Sequence, residues 1–185
     1  GNGASANPVD EYGLNNTADF LKVDGVAYKF PIGDSITAMF ADNKDAATMF
    51  TVACAYGGPS DTLDDCGNVN AAVDNGGAMA GAEYDFGNGF TAAIGYAGDE
   101  TDLMAKEGID AYGANLAYTG DNYGLSLTYG VLETSTTEED TFTAINAYYT
   151  PDGSLPSISV GYEIGDIGGA AASVDEKISF FVGLS

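Results

Sequence analysis

Histidine is missing from all 185 residues, only 5 residues carry a basic side chain, and cysteine occurs twice. Each scarcity removes a class of function. Without histidine there is no ordinary general base at neutral pH, which excludes Ser/His/Asp and Cys/His catalysis. The two cysteines have no histidine to complete a metal-ligand set. Against 28 acidic residues, the 5 basic ones leave a formal net charge of −23, which argues against nucleic acid as a partner because phosphates need cationic neutralisation. No stretch approaches the roughly 18 uninterrupted apolar residues of a membrane-spanning helix. Any bilayer crossing would have to be made by strands.

With 45% hydrophobic residues the chain is neither disordered nor a helical membrane protein. The start, Gly1-Asn2-Gly3-Ala4-Ser5, lacks the basic and apolar parts of a signal peptide. A mature chain or an interior fragment is expected.

What the chain does have is alternation. Residues 1–20 read as loop. In 25–32, Val26, Tyr28, Phe30 and Ile32 fall on one side, and after Gly33-Asp34 the pattern resumes at Ile36, Ala38 and Phe40. Three hairpins follow: 78–86 with 90–97 across Gly87-Asn88-Gly89, 111–119 with 123–131 across Gly120-Asp121-Asn122, and 142–150 with 157–164 across Pro151 to Pro156. Gly, Asn and Asp stand where hairpin turns need positive φ. A last run, 178–184, brings the expected strands to nine. The longer connections 98–110, 132–141 and 165–177 hold many of the acids, so one rim is anionic and the short-turn rim nearly neutral.

The two faces of each strand differ in kind. Tyr123, Leu125, Leu127, Tyr129 and Val131 oppose Gly124, Ser126, Thr128 and Gly130; Ile158, Val160, Tyr162 and Ile164 oppose Ser157, Ser159, Gly161 and Glu163. A soluble sandwich would place long charged side chains on its wet face. Small polar residues suit a water-filled lumen instead, and tyrosines at strand ends suit an interfacial girdle. The expectation is an all-β, antiparallel transmembrane β-barrel in which Leu125, Leu127, Tyr129, Ile158, Val160 and Tyr162 face lipid. An unusually Gly-rich soluble sheet is the alternative.

One long connection, 41–75, interrupts the rhythm with turn formers, aspartates, both cysteines and a short apolar run, 49–56. Connections of this length are normally functional or mobile. Cys54 and Cys66 are too far apart for a CxxC redox motif and are candidates for a disulfide in an oxidising compartment, with two buried thiols as the alternative.

Four stretches carry a family resemblance. Tyr28-Lys29-Phe30-Pro31-Ile32-Gly33-Asp34 is similar to a Tyr-x-Phe-Pro-hydrophobic-Gly-Asp hairpin, and 76–86 to a Gly/Ala-rich strand ending in Tyr-x-Phe. Ala117-Tyr118-Thr119-Gly120-Asp121-Asn122-Tyr123-Gly124 is similar to an Ala-Tyr-x-Gly-x-Asn-Trp-Gly turn, with Tyr123 where the family prefers Trp. Pro156-Ser157-Ile158-Ser159-Val160-Gly161-Tyr162 is similar to a Pro-Ser-Ile-Ser-x-Gly strand. In this order they resemble the OprB-like, carbohydrate-selective porins of the cyanobacterial outer membrane, some of which are described as iron-uptake porins.

That resemblance implies an interior part of a barrel of about sixteen strands, preceded in the family by a surface-layer-homology domain and a coiled coil that this sequence lacks. It implies passive diffusion of small hydrophilic solutes or inorganic cations, with no enzymatic activity and no cofactor. Outer-membrane lipid and further copies in a homo-oligomer are the expected partners. By analogy 41–75 is a constriction loop, with Asp61, Asp64 and Asp65 near the permeation path. A rival reading is a structural cell-surface β-protein whose open sheet edges join into a filament or layer. A metal-dependent enzyme built on the aspartates is disfavoured, since none has calcium-loop spacing.

Overall fold

The computed structural model describes residues 25–55, 66, 70–71, 77–99, 103, 105, 108–135, 137–168 and 175–185. These form one antiparallel sheet of nine strands: β1 (Ala27–Ile32), β2 (Ile36–Lys44), β3 (Gly77–Gly87), β4 (Phe90–Gly98), β5 (Asp110–Thr119), β6 (Tyr123–Ser135), β7 (Glu138–Tyr149), β8 (Ile158–Ile167) and β9 (Glu176–Leu184). Each strand pairs with the next in sequence, so the strand order contains no crossover. Among the described residues β1 and β9 are its edges. A single 3₁₀ turn, Ala46–Met49, follows β2.

Turn chemistry sets the register. Gly87, Asn88 and Gly89 all take positive φ, at 75°, 56° and 84°, a backbone that β-branched residues resist. The Asp85 carboxylate accepts the Gly87 N–H at 2.7 Å and locks the approach to that turn. Gly33, at φ 68°, does the same between β1 and β2. The resulting pairs place Tyr28 opposite Phe40 and Phe30 opposite Ala38, on one face, as alternation requires.

Three connections are shorter than the sequence suggests. Strand β2 runs on through Lys44, so the insert begins after 44 rather than at 41; an irregularity between Ala41 and Lys44, with Asn43 at φ 57°, bends it there. Residues 132–135 and 138–141 belong to strands: Leu132 pairs with Asp140, Glu133 with Glu139 and Ser135 with Glu138. Likewise Asp166 pairs with Glu176, extending β8 and β9 past their apolar parts. A backbone ladder needs no apolar side chain, so it continues after hydrophobic alternation has ended.

The cross-strand pairs align the apolar side chains in rows. Leu116, Leu127, Ile145, Tyr162 and Phe180 form one row across β5 to β9; Leu125, Ala147, Val160 and Val182 form the next. Val131 shares this face, between Tyr112 and Thr141, but is only 3% exposed. On the opposite face Met39, Met79, Ala93, Ala97, Ala111, Phe142 and Ala144 pack with Ala46, Met49 and Ala71 of the insert. Burying a methionine this fully stabilises the contact by about 2 kcal/mol. The insert therefore lies on the sheet.

Candidate functional site

Over β3, β4 and β5 the insert is held by apolar contact; further along it is held by hydrogen bonds. The 3₁₀ turn comes so close that a Cβ at Gly95 would overlap the Ala46 carbonyl oxygen. Thr51 to Ala55 then cross the polar face. Alternate N–H groups of this stretch donate to three strands in turn: Thr51 to Asn115 Oδ1 at 3.1 Å on β5, Ala53 to Ser126 Oγ at 2.9 Å on β6, and Ala55 to Ser159 Oγ at 2.9 Å on β8. An extended chain points every second N–H the same way, which explains the spacing of two. Thr128 Oγ1 supports the row by accepting Asn115 Nδ2 at 2.9 Å.

A second arm of the insert, described at Cys66, Asn70 and Ala71, meets β7 and β8. Asn146 Nδ2 donates to the Cys66 carbonyl at 2.5 Å, while Asn146 Oδ1, buried beside it, accepts no hydrogen bond among the described residues. Glu163, 1% exposed, accepts the Asn70 N–H at both oxygens (3.1 and 3.0 Å), Asn70 Nδ2 at 2.6 Å and the Ala71 N–H at 2.7 Å. Charge-assisted bonds of this kind offset the desolvation of a buried carboxylate. Gly161, lacking a Cβ, lets the Cys66 carbonyl reach β8. A disulfide between Cys54 and Cys66, with Cα atoms 6.1 Å apart, joins the two arms.

Burial is thus inverted relative to a water-soluble sheet. The largest wholly buried side chains are Glu163, Asn146, Thr128, Cys66, Ser126 and Ser159. Leu125, Leu127, Tyr129, Ile158, Val160 and Tyr162 are all exposed, on the other face, with Leu127 at 46%. An aromatic cluster marks the short-turn end of that face: Tyr84 lies 4.7 Å from Phe86, Phe90 4.7 Å from Tyr118, and Tyr118 5.4 Å from Tyr123. At the far end of the strands stand Asp110, Glu133, Glu139, Asp140, Asp166 and Glu176. The Tyr96 hydroxyl donates to Asp110 Oδ1 at 2.7 Å, and the Asp110 N–H to Glu133 Oε2 at 3.2 Å.

The polar face of β5 to β8 was expected to border open water. Described parts of the insert lie over it instead, because its side chains offer hydrogen bonds to a backbone that has no strand partner among the described residues. Asp61, Asp64 and Asp65 lie outside the described residues. Asn115, Asn146 and Glu163 were not recognised as anchors from the sequence; their signal is size and polarity, on a face of β5 to β8 made mostly of Gly, Ala, Ser and Thr. Among the described residues no cluster of three His, Cys, Asp or Glu side chains suits a metal ion, and no helix is long and apolar enough to cross a membrane. No protein-family model and no curated protein matches the chain.

Proposed function

We propose that this chain is part of the wall of an outer-membrane porin, a transmembrane β-barrel of about sixteen strands, and that its insert narrows the lumen. The inversion of burial carries this reading. Rows of exposed leucine, isoleucine, valine and aromatic side chains run across β5 to β9, a contiguous apolar face of the kind that soluble monomers rarely leave in water. In hydrocarbon they face their preferred solvent, and the hydrogen-bonded ladders leave few backbone groups unpaired there. The apolar outward run of β6, Tyr123 to Val131, matches the 9 to 11 or so residues of a tilted spanning strand. The aromatic cluster at the short-turn end fits an interfacial girdle.

Small hydrophilic solutes or inorganic cations pass by diffusion. A net charge of −23, concentrated in part at the long-connection rim, raises the local concentration of cations. Asp61, Asp64 and Asp65, between the two cysteines in sequence, add carboxylates to the insert. The motif resemblance to OprB-like, carbohydrate-selective porins supports the same class of function, with no enzymatic activity, and a homo-oligomer in the membrane. Reversal potentials across planar bilayers under a salt gradient test it. Cation-selective steps are expected; anion preference at low salt would end the selectivity claim, and absence of conductance would end the porin.

The unpaired edges of β1 and β9 favour a second reading, a cell-surface filament or layer built edge to edge. In water such an assembly would leave the apolar rows uncovered. Regular fibres or sheets in electron micrographs of detergent-free protein would support it over the porin.

A further inference from the structure

Three of the chain's four methionines meet at one glycine. Met39 on β2 is the cross-strand partner of Gly81 on β3. Met79 stands two residues before Gly81 on the same strand, and so on the same face. Met49 closes the 3₁₀ turn that the insert lays over this part of the sheet. A Cβ placed on Gly81 would stand 2.7 Å from the Met79 methyl carbon and 3.0 Å from Met49 Cγ. Each of those carbons is bonded to its sulfur, so thioethers from two different elements converge over the glycine, and Met39 joins them in the same buried cluster. All three are nearly closed to solvent.

The choice of residue is a second observation. The outward face draws its long apolar side chains from Leu, Ile, Val, Phe and Tyr, and no described methionine stands there. The rest of the buried cluster is chiefly alanine. Leucine or isoleucine would fill the same volume with better-defined rotamers. A thioether adds a property that packing does not need, a soft lone pair that favours copper(I) over hard cations. The chain has no histidine and its two cysteines are joined, so these sulfurs are the soft donors that remain among the described residues. We propose that Met39, Met49 and Met79 form a three-thioether site for one soft monovalent cation, with copper(I) as the biological instance. Methionine's three rotatable bonds let the sulfurs turn to a common point while the strands stay in place, and the bound ion ties β2 and β3 to the turn of the insert. Nothing in this geometry depends on whether the outward face meets lipid.

Silver(I) is the probe, because it shares the softness of copper(I) and needs no reductant that would open the Cys54–Cys66 bridge. Titrated into the refolded chain in phosphocholine micelles and chloride-free buffer, it should bind at one ion per chain, and calcium in large excess should not displace it. With carbon-13 in the methionine methyls, the resonances of Met39, Met49 and Met79 should shift together while that of Met104 stays. Met49→Leu and Met79→Leu keep the volume of the cluster and should each weaken binding at least about tenfold. Gly81→Ala keeps all three sulfurs but sets a carbon against two of the side chains, so binding should weaken while strand content by circular dichroism is unchanged. Absence of silver binding, displacement by calcium, full affinity in both leucine variants, or a shift at Met104 alone would overturn the proposal and leave the three methionines as packing.

Discussion

Asn115 and Thr51 exchange two hydrogen bonds: the Thr51 N–H donates to Oδ1 and Nδ2 donates to the Thr51 carbonyl, both at 3.1 Å. A side-chain amide on β5 thus offers the insert the donor and acceptor that a neighbouring strand would offer. Among side chains only asparagine and glutamine carry both on one amide, as a backbone does. Asn115→Asp keeps the acceptor but meets the Thr51 carbonyl and Thr128 Oγ1 with no donor. It should destabilise the fold by about 1–3 kcal/mol, read as a lower urea midpoint in micelles. Equal midpoints would show that the insert is not held here.

Glu163→Gln replaces a carboxylate that accepts at both oxygens with one acceptor and one donor, so the Asn70 and Ala71 N–H groups compete for a single oxygen. The second arm of the insert should loosen at a cost of about 1–3 kcal/mol. If the insert narrows the lumen, single-channel conductance rises. Unchanged conductance together with unchanged stability would remove Glu163 from the latch.

Leu127→Arg and Thr128→Arg separate the two faces at neighbouring positions. Leu127 is exposed within the apolar rows, and an arginine there should weaken insertion by roughly 2–4 kcal/mol if it sits near the bilayer midplane. Thr128 is wholly buried beneath the insert and bonded to Asn115. An arginine in its place needs the insert to move, so proteolytic nicking of the insert should accelerate while lipid insertion is retained. Refolding yields in vesicles, compared for the two variants, check the pair.

The strands were legible because alternation survives wherever one face is apolar and the other is not, as from Tyr123 to Val131. It fails where both faces are wet. At Glu133 and Glu139 the side chains are alike on either side, yet the ladder pairs them. The insert was legible only as an interruption. Its path depends on non-local bonds, such as Ala55 to Ser159 and Asn70 to Glu163, between residues far apart in sequence. A polar side chain facing water and one facing another backbone read the same in sequence, which is why Glu163 looked like one more lumen residue.

The disulfide adds a last, separable contribution. Cys54 follows Ala53, held by Ser126, and Cys66 is held by Asn146, so the crosslink ties together two arms that the sheet already grips. Closing a loop of this length stabilises by about 3 kcal/mol in the chain-entropy model. Reduction should therefore lower the unfolding midpoint without removing the insert, because the bonds to Asn115, Ser159 and Glu163 persist. Combining reduction with Glu163→Gln should free the second arm, and conductance should then exceed that of either change alone. Conductance that rises fully on reduction by itself would mean that the sulfur bridge, and not the polar face, keeps the insert in place.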